Sequence, residues 1–207
     1  MQKDNSTFLH KREIRRAALK LLSDVPVIME THGGFGKLYR ACYESVERGV
    51  VFEKDAVKAE ALALQRPTWA VYQADCVKAI ADGAGAHLTV NVLDCDPYGE
   101  AWPVIDAFFE SKRPRAATLL VLVNDGLRQG LKMGTAAHVG SMAGMVARYG
   151  NNLHKRYLEI CEMLLEEKAA KAGYRLDRFY GYYCGYMKQM THYMGLLTFA
   201  DRPGSAS

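Results

Sequence analysis

Short apolar runs alternate with stretches of helical period along most of the chain. Residues 8–22 place Phe8, Ile14, Ala18 and Leu22 on one side of a helix that Ser6 or Thr7 can cap. The run 25–30, opened by Pro26, reads as a strand, and 37–48 reads as a helix. A strand over 50–53, a helix over 56–65, a strand over 69–75 and a short helix over 77–81 follow. The β-branched run 87–93 has the length and content of a buried central strand. A helix is expected over 101–111, with Ile105, Phe108 and Phe109 inward, and the most apolar strand over 118–123. The period then fails between 127 and 152, where Gly130, Gly134, Gly140, Gly144 and Gly150 punctuate a stretch carrying Arg128, Lys132, His138 and Arg148. A mobile, substrate-side excursion is expected there. Helical period returns over 153–172, with Tyr157, Ile160, Cys161, Leu164 and Leu165 inward and Gly173 as the stop. Strands over 178–184 and 191–199, joined across Gly185, complete the pattern as an antiparallel pair.

Strand–helix alternation closed by a hairpin predicts an α/β fold with a mostly parallel sheet. Residues 1–24 form a basic N-terminal helix, 25–200 one domain, and 201–207 a polar tail. Lys11, Arg12, Arg15, Arg16 and Lys20 give the first helix a basic flank, the kind of surface that is solvated or meets phosphates. The net charge of +4 permits an anionic partner without demanding one. Cys42, Cys76, Cys95, Cys161 and Cys184 are odd in number and form no C-x-x-C pair, which argues for reduced thiols and a cytoplasmic protein. No apolar run is long enough to cross a bilayer, and no signal peptide or metal site is expected.

The chemistry concentrates where strands end. Four successive predicted strands end in Glu30, Glu53, Asp75 and Asp96, and the carboxyl edge of an open α/β sheet is where ligands bind. Thr31-His32-Gly33-Gly34-Phe35-Gly36 lies between a strand and a helix, where glycines let the backbone approach a ligand. Glu53 follows at roughly the 20-residue spacing of a ribose-binding acid. The stretch Asp94-Cys95-Asp96-Pro97-Tyr98-Gly99 then places an acid, a rigid turn and a ring together. Asp96 and the Pro97 carbonyl offer two acceptors to an amino group, and Tyr98 offers a face to a flat base. The same residues also suit an ordinary Pro-Gly turn with Asp96 capping the next helix.

From about residue 25 to 200 the chain resembles class I S-adenosylmethionine-dependent methyltransferases. The resemblance rests on Glu30-Thr-His-Gly-Gly-Phe-Gly36, on Glu53 and Asp75, and on the Asp-Pro-Tyr-Gly turn. His32 departs from the pattern, standing where the first glycine of the loop belongs. The family implies a Rossmann-like seven-stranded sheet, mostly parallel with an antiparallel C-terminal hairpin and helices on both faces. It implies S-adenosyl-L-methionine as cofactor, held by Glu30, His32, Gly34, Gly36, Glu53, Asp75, Cys76 and Asp94. Asp96, Pro97 and Tyr98 are the implied catalytic residues. The Asp-Pro-Tyr-Gly form, with Asp94 two residues ahead, is similar to that of tRNA guanine-N2 methyltransferases, which implies an exocyclic amine of a nucleic-acid base, RNA before DNA. No separate RNA-binding domain is present in the sequence, so recognition falls to the N-terminal helix, residues 127–152 or a protein partner. A DNA adenine-N6 or cytosine-N4 methyltransferase, a dinucleotide-dependent oxidoreductase and an inactive cofactor-binding module regulating a partner are the competing readings. Neither a metal nor a cysteine nucleophile is expected to take part, and Cys95 is expected to be a buried sheet residue.

Overall fold

The computed structural model describes residues 7–134 and 140–200; Ser6, His138 and the tail 201–207 lie outside the described residues. Seven strands form one sheet in the order β3-β2-β1-β4-β5-β7-β6. These are β1 (Val27–Glu30), β2 (Arg48–Glu53), β3 (Ala70–Gln73), β4 (Val92–Cys95), β5 (Thr118–Asp125), β6 (Tyr174–Cys184) and β7 (Met190–Phe199). The first five are parallel, whereas β7 runs antiparallel between β5 and β6.

The central strands are buried on both faces, so their apolar runs are continuous. Along β1, Val27 and Met29 join one core while Ile28 joins the other. The first core lies under α3 (Cys76–Ala81), α4 (Trp102–Glu110), α6 (Gly140–Tyr149) and α7 (Tyr157–Lys171). The second lies under α1 (Phe8–Leu19), a π-helical turn at Tyr39–Tyr43, and α2 (Ala56–Gln65). No helix among the described residues is long and apolar enough to cross a membrane.

Four local expectations are corrected. The fourth strand begins at Val92, because Asn91 ends the preceding turns: its side chain accepts from the Val27 amide at 2.7 Å and donates to the Val25 carbonyl at 3.0 Å. The helix expected over 37–48 ends early, at the π-helical turn, and β2 already starts at Arg48. Thr7 sits at the start of α1 but makes no side-chain cap. The irregular excursion is largely helical, holding α5 (Leu127–Met133), α6 and a 3-10 turn at Asn151–Arg156 before α7. Gly134 explains part of this misreading. It ends α5 in the left-handed region at φ 67°, so this glycine marks a helix stop and not a loop.

Candidate functional site

Register sets the site. Glu30 pairs with Val51 on one side and Asp94 on the other, so the ends of β1, β2 and β4 come level at one edge. Strand order reverses between β1 and β4, which opens the crevice of a doubly wound sheet at that point. His32, Gly34, Glu53, Asp75 and Cys76 lie on the β1–β3 half of the edge, and Asp96, Pro97 and Tyr98 follow β4.

On the first half, the Glu53 carboxylate accepts from the Gly34 amide at 2.9 Å and from the Asp55 amide at 3.0 Å. Gly34 has φ 54°, and a side chain there would meet nothing within 4 Å, so bare backbone faces open space beside the acid. The Gly36 amide closes the loop onto the Gly33 carbonyl at 3.0 Å. Asp75 caps α3 by accepting from the Lys78 amide at 3.1 Å and pairs with Lys54. That lysine and the helix amide hold its carboxyl below the usual range. The Thr31 hydroxyl lies 3.2 Å from the Asp94 carbonyl and 2.8 Å from His32 Nδ1. His32 Nε2 faces Cys76 Sγ at 3.9 Å. Burial pushes the imidazole down to about 4, against the pull of Glu53 and Asp94.

Two of the expected cofactor residues lie beneath the edge. Glu30 is buried with Arg66 at 2.5 Å, and that guanidinium stacks on Tyr39 and Trp69. Burial outweighs the arginine and lifts Glu30 to about 7. Asp94 is fully buried and accepts from Arg15 Nε at 2.7 Å, Arg15 Nη2 at 2.5 Å and the Tyr43 hydroxyl at 2.6 Å. Neither carboxylate is presented at the surface of the edge. The basic flank of α1 is corrected as well: Arg15 is completely buried, and Lys11 turns inward to Asp96.

Asp96 meets Lys11 Nζ at 2.5 Å, with its side chain 14% exposed. Burial raises its carboxyl above the ordinary value, while Lys11 and Arg15 pull it down. It does not cap α4, whose N-cap is Ala101. Pro97 is buried, Tyr98 is 91% exposed, and the Gly126 amide donates to the Gly99 carbonyl at 3.3 Å. The turn is thereby backed by the end of β5. There Asp125 is fully buried and accepts from the Tyr157 hydroxyl at 2.9 Å, while its other oxygen has no partner among the described residues. Burial lifts its carboxyl to about 7. Sequence reasoning passed over Lys11, Arg15, Tyr43 and Asp125 as site residues, although Asp125 obeys the same strand-terminal rule as the acids it selected. Cys95 is buried in β4, as expected.

A groove of about 420 Å³ runs between α3 and α4, lined by Val77, Pro103, Asp106 and Gly140 among others, and holds none of the expected site residues. No group of three or more His, Cys, Asp or Glu that could hold a metal occurs among the described residues.

Neither a family model nor a curated protein matches the sequence. Solved structures do match. Trm1 from Pyrococcus horikoshii, in complex with S-adenosyl-L-methionine, superposes with a TM-score of 0.69 at 13% identity, covering 94% of this chain and 55% of that one. The chain therefore spans about half the length of that protein. M. jannaschii TYW2, in complex with AdoMet, gives a TM-score of 0.57 at 10% identity, covering 96% and 78% of the two chains. The plantazolicin methyltransferase BamL, in complex with a triazolic desmethylPZN analog and SAH, gives 0.57 at 8%, covering 97% and 87%. This is a methyltransferase fold. In this sheet β7 runs antiparallel to β5, and the strand order reverses between β1 and β4.

Proposed function

We propose that this chain is an S-adenosyl-L-methionine-dependent methyltransferase acting on an exocyclic amino group of a nucleic-acid base, with RNA guanine N2 the first acceptor to test. One arrangement carries this reading: Asp96, fixed by Lys11, stands beside an exposed Tyr98 at the open edge of a methyltransferase fold.

The residues present fit the cofactor. Glu53 has oxygens anchored by two amides, which leaves lone pairs for ribose hydroxyls, and Gly34 presents bare backbone next to it. His32, Gly36, Asp75 and Cys76 complete the cradle. Glu30 and Asp94 support it from below, Glu30 through Arg66 and Asp94 through Arg15 and Tyr43. When bound, the cofactor supplies a methyl group activated by its sulfonium.

What remains for the protein is orientation. Asp96 accepts one N–H of the acceptor amine and the Pro97 carbonyl the other, which aims the nitrogen lone pair along the edge. Tyr98 stacks on the base, and a paired base has to leave its duplex first. The buried Asp94 keeps Arg15 and α1 in place, and α1 delivers Lys11 to Asp96.

The test is incubation with methyl-labelled cofactor and separate RNA and DNA pools, followed by nucleoside analysis, for wild type and Asp96→Ala. Label in N2-methylguanosine that disappears in Asp96→Ala, with cofactor binding retained, is the expected result. Label in DNA alone makes the acceptor adenine N6 or cytosine N4, and label in neither pool overturns the proposal.

A further inference from the structure

The carboxyl edge has a second half, beyond Asp125. Because β7 is antiparallel to β5 and pairs with β6, the β6–β7 hairpin turns over at this same edge. Three segments meet there: the start of α5, the 3-10 turn at Asn151–Arg156, and the hairpin tip Tyr186–Lys188. Arg128 fastens them together. Its Nε donates to the His154 carbonyl at 3.0 Å and its Nη1 to the Lys188 carbonyl at 3.0 Å, while the guanidinium lies 4.1 Å from the Tyr183 ring centroid. Its hydrogen bonds go to carbonyls and its face to a ring, and no carboxylate among the described residues pairs with it.

The tip is held in an uncommon shape. Met187 and Lys188, at φ 50° and 56°, are the non-glycine residues with positive φ among those described. Held this way, Tyr186 is 72% and Met187 69% exposed. Tyr98 is close by, since a β-carbon at Gly126 would come within 2.8 Å of the Tyr98 carbonyl and 3.8 Å of Met190 Sδ. Exposed cations lie on the same three segments. Lys132 is one turn along α5 from Arg128, Lys155 follows His154, and Lys188 is on the tip; among the described residues none of these three lysines makes an ion pair.

We propose that this corner docks a single-stranded polynucleotide, with bases stacked on Tyr98 and Tyr186 and phosphates paired with Lys132, Lys155 and Lys188. The inference rests on the reading of Asp96 and Tyr98 as the acceptor site, and gives that site a surface along which a target strand arrives. Rings serve any base because every base has a stacking face, and lysines serve the repeating phosphates. An acidic protein segment would use the lysines and leave the ring faces idle.

The experiment is fluorescence anisotropy with a labelled single-stranded RNA oligonucleotide, and its DNA counterpart in parallel, over a salt series and without cofactor. Tyr186→Ala should weaken binding by roughly five- to a hundredfold, the worth of one stacked base, and Tyr186→Phe should restore it. The combined Lys132→Gln, Lys155→Gln, Lys188→Gln variant should lower the salt slope by about 2, as three lost contacts to a single strand require. These side chains are on the surface, and unchanged melting confirms folded variants. Variants that bind as wild type does overturn the corner, as does displacement by polyglutamate that Tyr186→Ala leaves unaltered. Should wild type methylate RNA while the variants keep their affinity and KM, the corner fails and the proposed activity stands. Corner-dependent binding without methylation of any nucleic acid retains the corner and removes the activity.

Discussion

Arg15 and Asp94, separated by 79 residues, form a two-pronged ion pair with neither side chain exposed to solvent. Tyr43 donates a third hydrogen bond to the same carboxylate. The pair fixes α1 to β4 two residues before Asp96, so the N-terminal helix is built into the sheet beside the candidate site and is not an appendage.

Removing one partner of such a pair strands the other charge in the core. Arg15→Met is expected to lose about 3–5 kcal/mol of stability in urea unfolding. Arg15→Lys should recover only part of it, because an ammonium cannot make the two-pronged contact. A loss below about 1 kcal/mol, the range of a solvated ion pair, would show that the pairing is incidental.

Lys11 lowers the Asp96 carboxyl against the upward push of burial. Without the lysine, Asp96 takes a proton at higher pH, and on the proposed reading it then stops accepting an amine. The acid limb of the proposed methyl-transfer profile of Lys11→Met should therefore move upward, leaving a deficit that grows as pH falls. Lys11→Arg should restore the wild-type profile. A deficit uniform across pH would assign Lys11 a packing role only.

Glu53 joins the glycine loop to the turn after β2 by accepting from Gly34 and Asp55. Glu53→Ala should weaken cofactor binding about tenfold or more, by loss of charge-assisted hydrogen bonds. Calorimetry on the folded variant is the check, and unchanged affinity would move the ribose site elsewhere on the edge.

Burial lifts Asp125 from an ordinary 3.8 to about 7, despite the Tyr157 hydroxyl. The folded state thus keeps a proton that the unfolded chain releases, and the associated stability, complete below about pH 4, is lost as pH rises to about 7. Glu30 has the same sense, whereas His32 and His192, lowered to about 4 and about 3, lose stability as pH falls. The difference between Asp125→Asn and wild type isolates the one group. Relative to wild type, the amide variant should gain roughly 2–4 kcal/mol between about pH 4 and about pH 8, read as thermal unfolding. A difference that does not change with pH would place the Asp125 titration outside this window.

Much of the fold was legible because parallel strands buried on both faces leave unbroken apolar runs, as at 118–123, and because Gly173 stops α7 before β6. The strand-terminal acids were also legible, since a carboxylate just past an apolar run has to lie at the sheet edge. Their partners were not. Lys11 and Arg15 read as a solvated flank because their carboxylates come from the end of β4 and the residue after it, some 80 residues away in the sequence, and no local period records that distance. A signal was present in the spacing, because Lys11, Arg15 and Ala18 continue the inward stripe of α1. It was masked by the habit of placing arginine outside. Residues 127–152 were misread for the opposite reason: the local glycine signal is strong, but it marks helix ends as readily as loops.

The sheet order also bears on how the protein is made. β7 is made after the other six strands of the sheet, yet it belongs between β5 and β6 and forms part of the bed on which α1 lies. The Tyr182 hydroxyl donates to the His10 carbonyl across 172 residues, joining the first helix to the last hairpin. A nascent chain therefore carries β5 as an unpaired apolar margin until β7 is made, and α1 waits as long for its seat. Lys11 is seated against Asp96 only after that, and until then the bare β5 margin is the kind of unpaired edge at which chains can associate.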